Sequence, residues 1–133
     1  MIKKYEGNIM QAIILAAGKG ERLQPLTNTM PKCMVKIKGK PLIYNTLDYL
    51  SQTGKVEEVI IVCGYMANMI QRNVGKCYHG MKINYILNDR YEITNNVYSL
   101  YLTKDKIDTD CLLLECDLFY QQDVIEAIID GNA

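Results

Sequence analysis

The sequence predicts an α/β fold built on a mainly parallel, doubly wound sheet with helices on both faces. Two observations predict it. Four short apolar runs alternate with longer segments whose apolar residues recur at helical spacing. Two of those runs, 59–63 and 111–114, are apolar at every position, as in strands covered on both faces.

Taken in order, residues 1–9 form a polar, lysine-bearing arm, and 10–133 form one domain. The strand-like runs are Ala12–Ala17, Val59–Cys63, Lys82–Leu87 and Cys111–Cys116. Pro41 suits a first helical position, with Ile43, Leu47 and Leu50 on one face and Thr53-Gly54 as the stop. Met34–Ile37 reads as a short extra strand, and Met66–Val74 as a shorter helix. Thr94 is placed to cap a helix with Val97, Leu100, Tyr101 and Ile107 inward. Gln121–Asp130 reads as a last helix, ended by Gly131. Right-handed crossovers between parallel strands give a Rossmann-like sheet, with the four runs in the order 3-2-1-4. Ligands in such sheets bind beyond the carboxyl ends of the strands, where the strand order reverses. Here the first and fourth runs would meet at that point.

Formal net charge is zero, which argues against a polyanion partner such as nucleic acid. The charge is uneven, however. Up to Lys40 there are eight cations and two carboxylates, a net +6 that fits a phosphorylated small molecule. The five cysteines are odd in number and form no CxxC, and no signal peptide is expected from the opening residues. A reduced, cytoplasmic protein with buried thiols is the simple expectation. No apolar run approaches the ~20 residues that span a bilayer. His79 is the only histidine and sits in a Tyr-His-Gly turn, which argues against a His-dependent triad and against a histidine/cysteine metal site.

The chemistry concentrates in AIILAAGKGERLQPLTNTMPK, from Ala12 to Lys32. A buried strand breaks at Gly18-Lys19-Gly20 and leads into a connection bearing Arg22 and Lys32. Glycines let backbone N–H groups approach phosphate oxygens, and fixed cations neutralise them. Leu23 stands where the dinucleotide fingerprint needs its third glycine, and no GxxxxGK[ST] occurs. At the far side of the predicted switch point, Asp117 ends an apolar strand. An aspartate there is suited to a hard cation such as Mg2+, which takes one or two carboxylates plus phosphate oxygens.

From Leu15 to Lys32 the chain matches LAAGxGxRLxPLTxxxPK without a gap and so resembles the nucleotidyltransferases that activate sugar phosphates and alcohol phosphates. The resemblance continues through Lys40-Pro41-Leu42, through Asn88 to Leu100, and at Leu114–Asp117. The middle segment, N-x-x-Y-x-x-T-N-N-x-Y-S-L, is similar to the branch of phosphocholine and phosphonate cytidylyltransferases. The resemblance implies in-line attack of an acceptor phosphate oxygen on the α-phosphorus of a nucleoside triphosphate, CTP being favoured, with loss of pyrophosphate. It places Arg22 on the departing pyrophosphate, Lys32 on the α-phosphate or acceptor phosphate, and Mg2+ on Asp117. Backbone groups at Ala17, Gly18, Lys19 and Gly20 would line the triphosphate, with Leu15, Ala16 and Ala17 beside base and ribose. Asn88 would read the base edge; Asn95 and Asn96 would touch ribose, base or acceptor, or simply cap a helix. Lys19 is equally an ordinary exposed lysine. Tyr91, Tyr98, Tyr101 and Tyr120 suggest an aromatic cage, although at helical spacing Tyr98 and Tyr101 read as core-edge residues.

The resemblance also implies further strands, a second acidic ligand and much of the acceptor site after Ala133. The chain therefore reads as the nucleotide-binding part of such an enzyme, binding nucleotide weakly and turning over poorly by itself. An unpaired sheet edge would favour a homo-oligomer. The competing functions are a sugar-1-phosphate nucleotidyltransferase and a non-catalytic nucleotide-binding module.

Overall fold

The computed structural model describes residues 10–115. The arm at 1–9, Asp117, Tyr120 and the helix expected at 121–130 lie outside the described residues. Four parallel strands form the sheet: β1 (Met10–Ala16), β4 (Val56–Cys63), β6 (Met81–Leu87) and β7 (Cys111–Glu115). A two-residue strand, β5 (Cys77–Tyr78), adds antiparallel to β6, and the order is β5-β6-β4-β1-β7. In chain order of the four long strands this is the expected 3-2-1-4.

The apolar runs at 12–15 and 59–63 form the centre because both of their faces are covered. On one face, α1 (Leu42–Thr53) and α2 (Ala67–Val74) bury Ile43, Leu47, Leu50, Ile70 and Val74 against Ala12, Ile14, Val59 and Ile61. On the other, Tyr91 and Ile107, from the connection between β6 and β7, pack on Ile13, Leu15, Ala17 and Val62. That connection carries the short helix α3 (Asn96–Tyr101). Burying each large aliphatic side chain contributes roughly 1.5–3 kcal/mol, so these central strands anchor the fold. The helix α1 ends at Gly54, left-handed at φ +71°, whose N–H reaches the Ser51 carbonyl at 3.2 Å.

At the amino end of the sheet, Gln11 is buried and fully bonded. Its Nε2 donates to Glu58 Oε1 and the Lys106 carbonyl, each at 2.8 Å. Its Oε1 accepts from the Asp108 N–H at 2.9 Å and from Thr109. This closes the end of the molecule away from the glycine-rich loop, consistent with a structural role for Gln11.

Six expectations are corrected, in whole or in part. Pro41 precedes the helix instead of opening it, as the end of β3 (Lys40–Pro41), which pairs with β2 (Lys36–Ile37) in a small hairpin. The extra strand is thus Lys36–Ile37; Lys32–Met34 form a 3-10 turn. The cap of α3 is Asn95, since the hydroxyl of Thr94 donates to the Arg90 carbonyl instead. The apolar face of α3 points outward: Val97 is 73 % and Tyr101 56 % exposed, while Ser99 is buried. β7 alternates rather than being covered on both faces, with Leu112 and Leu114 buried and Leu113 46 % exposed. Cys33 and Cys63 are buried as expected, but Cys77 and Cys111 are exposed, and all four are free thiols. No helix among the described residues is long and apolar enough to cross a membrane.

Candidate functional site

The site begins where β1 runs out. The Ala17 carbonyl accepts the Tyr65 N–H at 3.0 Å, which ties the end of β1 to the residues that follow β4. Gly64 lies at this junction. A Cβ there would stand 2.8 Å from the Ala17 oxygen, 2.8 Å from Tyr91 Cβ and 2.9 Å from the Asn88 oxygen. The ends of three neighbouring strands approach closely only because residue 64 has no side chain.

The two glycines of the loop do different work. A Cβ on Gly18 would meet nothing within 4 Å, so its missing side chain leaves open space. Gly20 has φ +67°, and a Cβ there would lie 3.0 Å from Lys32 Cβ and 3.1 Å from Thr27 Cγ2. Its carbonyl accepts the Thr27 hydroxyl at 2.8 Å, and the Thr27 carbonyl accepts the Tyr65 hydroxyl at 2.5 Å. Gly20 therefore lets the segment from Glu21 to Pro31 fold back so that Lys32 returns against the loop. The 3-10 turn Glu21–Leu23 leaves Arg22 exposed. Lys19 is exposed too, its ammonium 6.0 Å from the Tyr65 ring centroid, at the outer limit of a cation–π contact.

Lys32 stands between two hollows. One, of about 440 Å3, is lined by Gly20, Glu21, Arg22, Leu23 and Lys32. The other, about 80 Å3, is lined by Leu15, Ala16, Gly18, Lys32, Cys33, Asn96 and Glu115. A third, about 250 Å3 and largely apolar, shares Leu15, Asn96 and Glu115 with the second. The register brings Leu15 directly beside Glu115, so the second hollow opens at the carboxyl ends of β1 and β7. That is the predicted switch point. A larger hollow of about 570 Å3 lies away from it, beside Arg72, Lys76 and Tyr85.

Five residues singled out from sequence thus share one cavity: Leu15, Ala16, Gly18, Lys32 and Asn96. Arg22 and Gly20 adjoin it through Lys32. Two residues have other tasks. Asn88, expected to read a base edge, is 1 % exposed and its amide is engaged within the protein. Its Nδ2 donates to Thr94 Oγ1 at 3.1 Å and Ser99 Oγ at 3.0 Å, while its Oδ1 accepts the Arg90 N–H at 3.0 Å. A buried amide with these partners presents nothing to the cavity. Asn95 is the cap of α3, its Oδ1 accepting from Val97 and Tyr98 at 3.0 and 3.3 Å. Asp117 lies outside the described residues.

Two contributors were not singled out. Glu115 lines both smaller hollows, and its Oε1 accepts from Asn96 Nδ2 at 3.0 Å. Its signal was its place two residues before Asp117 on an apolar strand. Gly64 followed such a strand directly. Among the described residues no cluster of three or more His, Cys, Asp and Glu side chains is placed to hold a metal. One carboxylate, Glu115, does face the cavity, which fits a cation that takes few protein ligands and completes its shell with phosphate oxygens. Cys63, paired in register with Ala16, is no nucleophile here. Burial, with Cys33 adding, pushes its thiol up to about 12.

The Nucleotidyl transferase family profile matches residues 11–132. A choline-phosphate cytidylyltransferase of Streptococcus pneumoniae is 41 % identical over 74 % of this chain and 41 % of its own length. A CMP-5'-(3-aminopropyl)phosphonate synthase of Streptomyces rubellomurinus is 35 % identical over 90 % of this chain and 19 % of its own. The solved structure of a CTP:phosphocholine cytidylyltransferase from Streptococcus pneumoniae superposes with a TM-score of 0.70 at 36 % identity, over 86 % of this chain and 50 % of that one. The chain spans half or less of the length of each of these proteins.

Proposed function

Because this chain belongs to the nucleotidyl transferase family, we propose that it carries the nucleotide-binding part of a cytidylyltransferase. The reaction joins CMP, taken from CTP, to a phosphorylated small acceptor such as phosphocholine or an aminoalkylphosphonate. An acceptor oxygen forms a bond to the α-phosphorus. The bond from that phosphorus to the oxygen bridging to the β-phosphate breaks, and pyrophosphate leaves with the electron pair. The observation that carries this reading is the cavity at the ends of β1 and β7, where Gly18 leaves space and Lys32, Asn96 and Glu115 share the lining.

The protein's part is positioning and charge stabilisation. Backbone groups from Ala17 to Gly20 cradle the triphosphate, and Lys32, bordering both hollows, neutralises the α-phosphate. Arg22 takes the charge that grows on the departing pyrophosphate. Leu15 and Ala16 give the base and ribose a flat apolar floor. Glu115 and Asp117 are the carboxylates that would hold Mg2+, which supplies neutralisation of phosphate oxygens when bound. The partners are thus CTP and the acceptor, with Mg2+ as cofactor.

Thermal-shift measurement of the chain with CTP, UTP, dTTP, GTP and ATP, each with Mg2+, tests the nucleotide assignment. Stabilisation by CTP above the others is expected; preference for a purine nucleotide overturns it. Replacement of Arg22 by Ala in the complete enzyme should lower turnover about 100-fold or more while leaving the fold intact.

A further inference from the structure

We propose that Asn88 is a positioning residue for the nucleotide site, acting through Asn96 and not by touching the base. This rests on the function proposed above. Asn88 lies one residue past the end of β6, and its N–H donates to the Cys63 carbonyl at 2.7 Å. That bond, with the tight packing of its own carbonyl against Gly64, fixes its backbone to the end of β4.

Its side chain then grips α3 on both sides of the helix start. One Nδ2 contact is Thr94, just before the cap; the other is Ser99, in the first turn. The Ser99 N–H returns to the Asn95 carbonyl at 3.3 Å. The Oδ1 contact to the Arg90 N–H holds the intervening turn, and the Thr94 hydroxyl donates to the Arg90 carbonyl at 2.7 Å. Between the two grips stands Asn96, whose Nδ2 reaches Glu115 at the edge of β7. The helix is six residues long, and Val97, Leu100 and Tyr101 on it are exposed. Apolar packing therefore does little to orient it, and the buried amide takes that task. Side-chain polar bonds of this kind have directional requirements that apolar contacts lack.

The consequence is a relay from the end of β4 to the cavity wall. A shift at Asn88 moves the start of α3 and with it Asn96 relative to Glu115 and Lys32. Asn88 thus acts on nucleotide binding without contacting nucleotide.

Two measurements on the complete protein test this. The first needs no nucleotide. In 1H–15N spectra, Ser99→Ala, which leaves Asn96 and Glu115 untouched, should displace the Asn96 side-chain amide signals in the direction that Glu115→Gln does. Unmoved signals overturn the relay. The second is a double-mutant cycle on CTP–Mg2+ affinity by calorimetry. Asn88→Ala and Asn96→Ala should each weaken binding about 10-fold, and the double variant should lie within about 2-fold of Asn96→Ala alone. Multiplying losses, or loss of CTP-over-UTP preference in Asn88→Ala but not in Asn96→Ala, would mean direct base contact and overturn the proposal. If Asn88→Ala does not fold, Ser99→Ala replaces it in the cycle with the same expected non-additivity. Wild-type protein that binds no nucleoside triphosphate overturns the proposed function together with this role; tight wild-type binding with independent losses overturns this role alone.

Discussion

Gly20 and Lys32 are packed so closely that a single added methyl group on Gly20 would stand 3.0 Å from Lys32 Cβ. The glycine therefore does more than loosen a loop. It sets how closely Lys32 returns to the loop. Gly20→Ala should lower stability by about 1–3 kcal/mol through its left-handed backbone alone, and should displace Lys32 and weaken nucleotide binding. Gly18→Ala provides the contrast. Nothing lies within 4 Å of that position, so denaturant midpoints should change little, within about 0.5 kcal/mol. Nucleotide affinity should still fall, because the cavity loses open space. Urea unfolding with parallel CTP titrations separates the two effects.

Gly64 faces backbone rather than a flexible side chain, so relief is harder. Gly64→Ala should cost about 3 kcal/mol or more, at or above the upper end for Gly20→Ala, because the Ala17 and Asn88 carbonyls cannot move without disturbing the ends of β1 and β6. The urea midpoint at unchanged m-value is the measurement.

A second polar centre lies away from the site. Asp48 on α1 is paired with Lys40 and accepts the Tyr78 hydroxyl at 2.7 Å; His79 Nε2 lies 3.3 Å away. Burial would raise its carboxyl, but the hydrogen bonds from Lys40 and Tyr78 and the nearby cationic charge outweigh it and hold the group below its ordinary 3.8. A carboxylate with a lowered folded pKa adds stability above its unfolded pKa and loses it as pH falls through the folded value. Stability should therefore drop as pH is taken downward from about 4, and Asp48→Asn should flatten that slope. Thermal melts across pH 5 to 2 check this, using pH values on the order set by carboxylate titration.

The thiols give a chemical readout of the fold. Cys77 is exposed, whereas Cys63 is fully buried with its thiol pushed up to about 12. An aromatic disulfide reagent at neutral pH should label Cys77 rapidly and Cys63 only after denaturation. Peptide mass mapping of the labelled protein distinguishes them.

The central strands and the glycine-rich loop are legible in the sequence for a simple reason. Val59–Cys63 are apolar at every position because both faces are covered, and Gly18 to Lys32 carry their chemistry within one local stretch. What stayed hidden depends on partners distant along the chain. An asparagine at the end of a strand can read a base or brace a turn, and only Thr94, Ser99 and Arg90 around Asn88 decide between them. The need for glycine at position 64 comes from Ala17 and Tyr91, which are distant along the chain. The orientation of α3 is not legible, because helical spacing identifies an apolar stripe without saying what covers it. Here polar Ser99 is the buried residue and Val97 faces outward.

In the function proposed above, nucleotide occupies the cavity between the end of β1 and Glu115. Titration of 15N-labelled chain with CTP and Mg2+ tests it most directly, since amide shifts report even weak binding residue by residue. Perturbations concentrated at Gly18, Lys19, Gly20, Lys32 and Asn96 are expected, and they should be lost when Lys32 is replaced by Ala. Perturbations centred instead on the hollow beside Arg72, Lys76 and Tyr85, or none at saturating CTP, would contradict it.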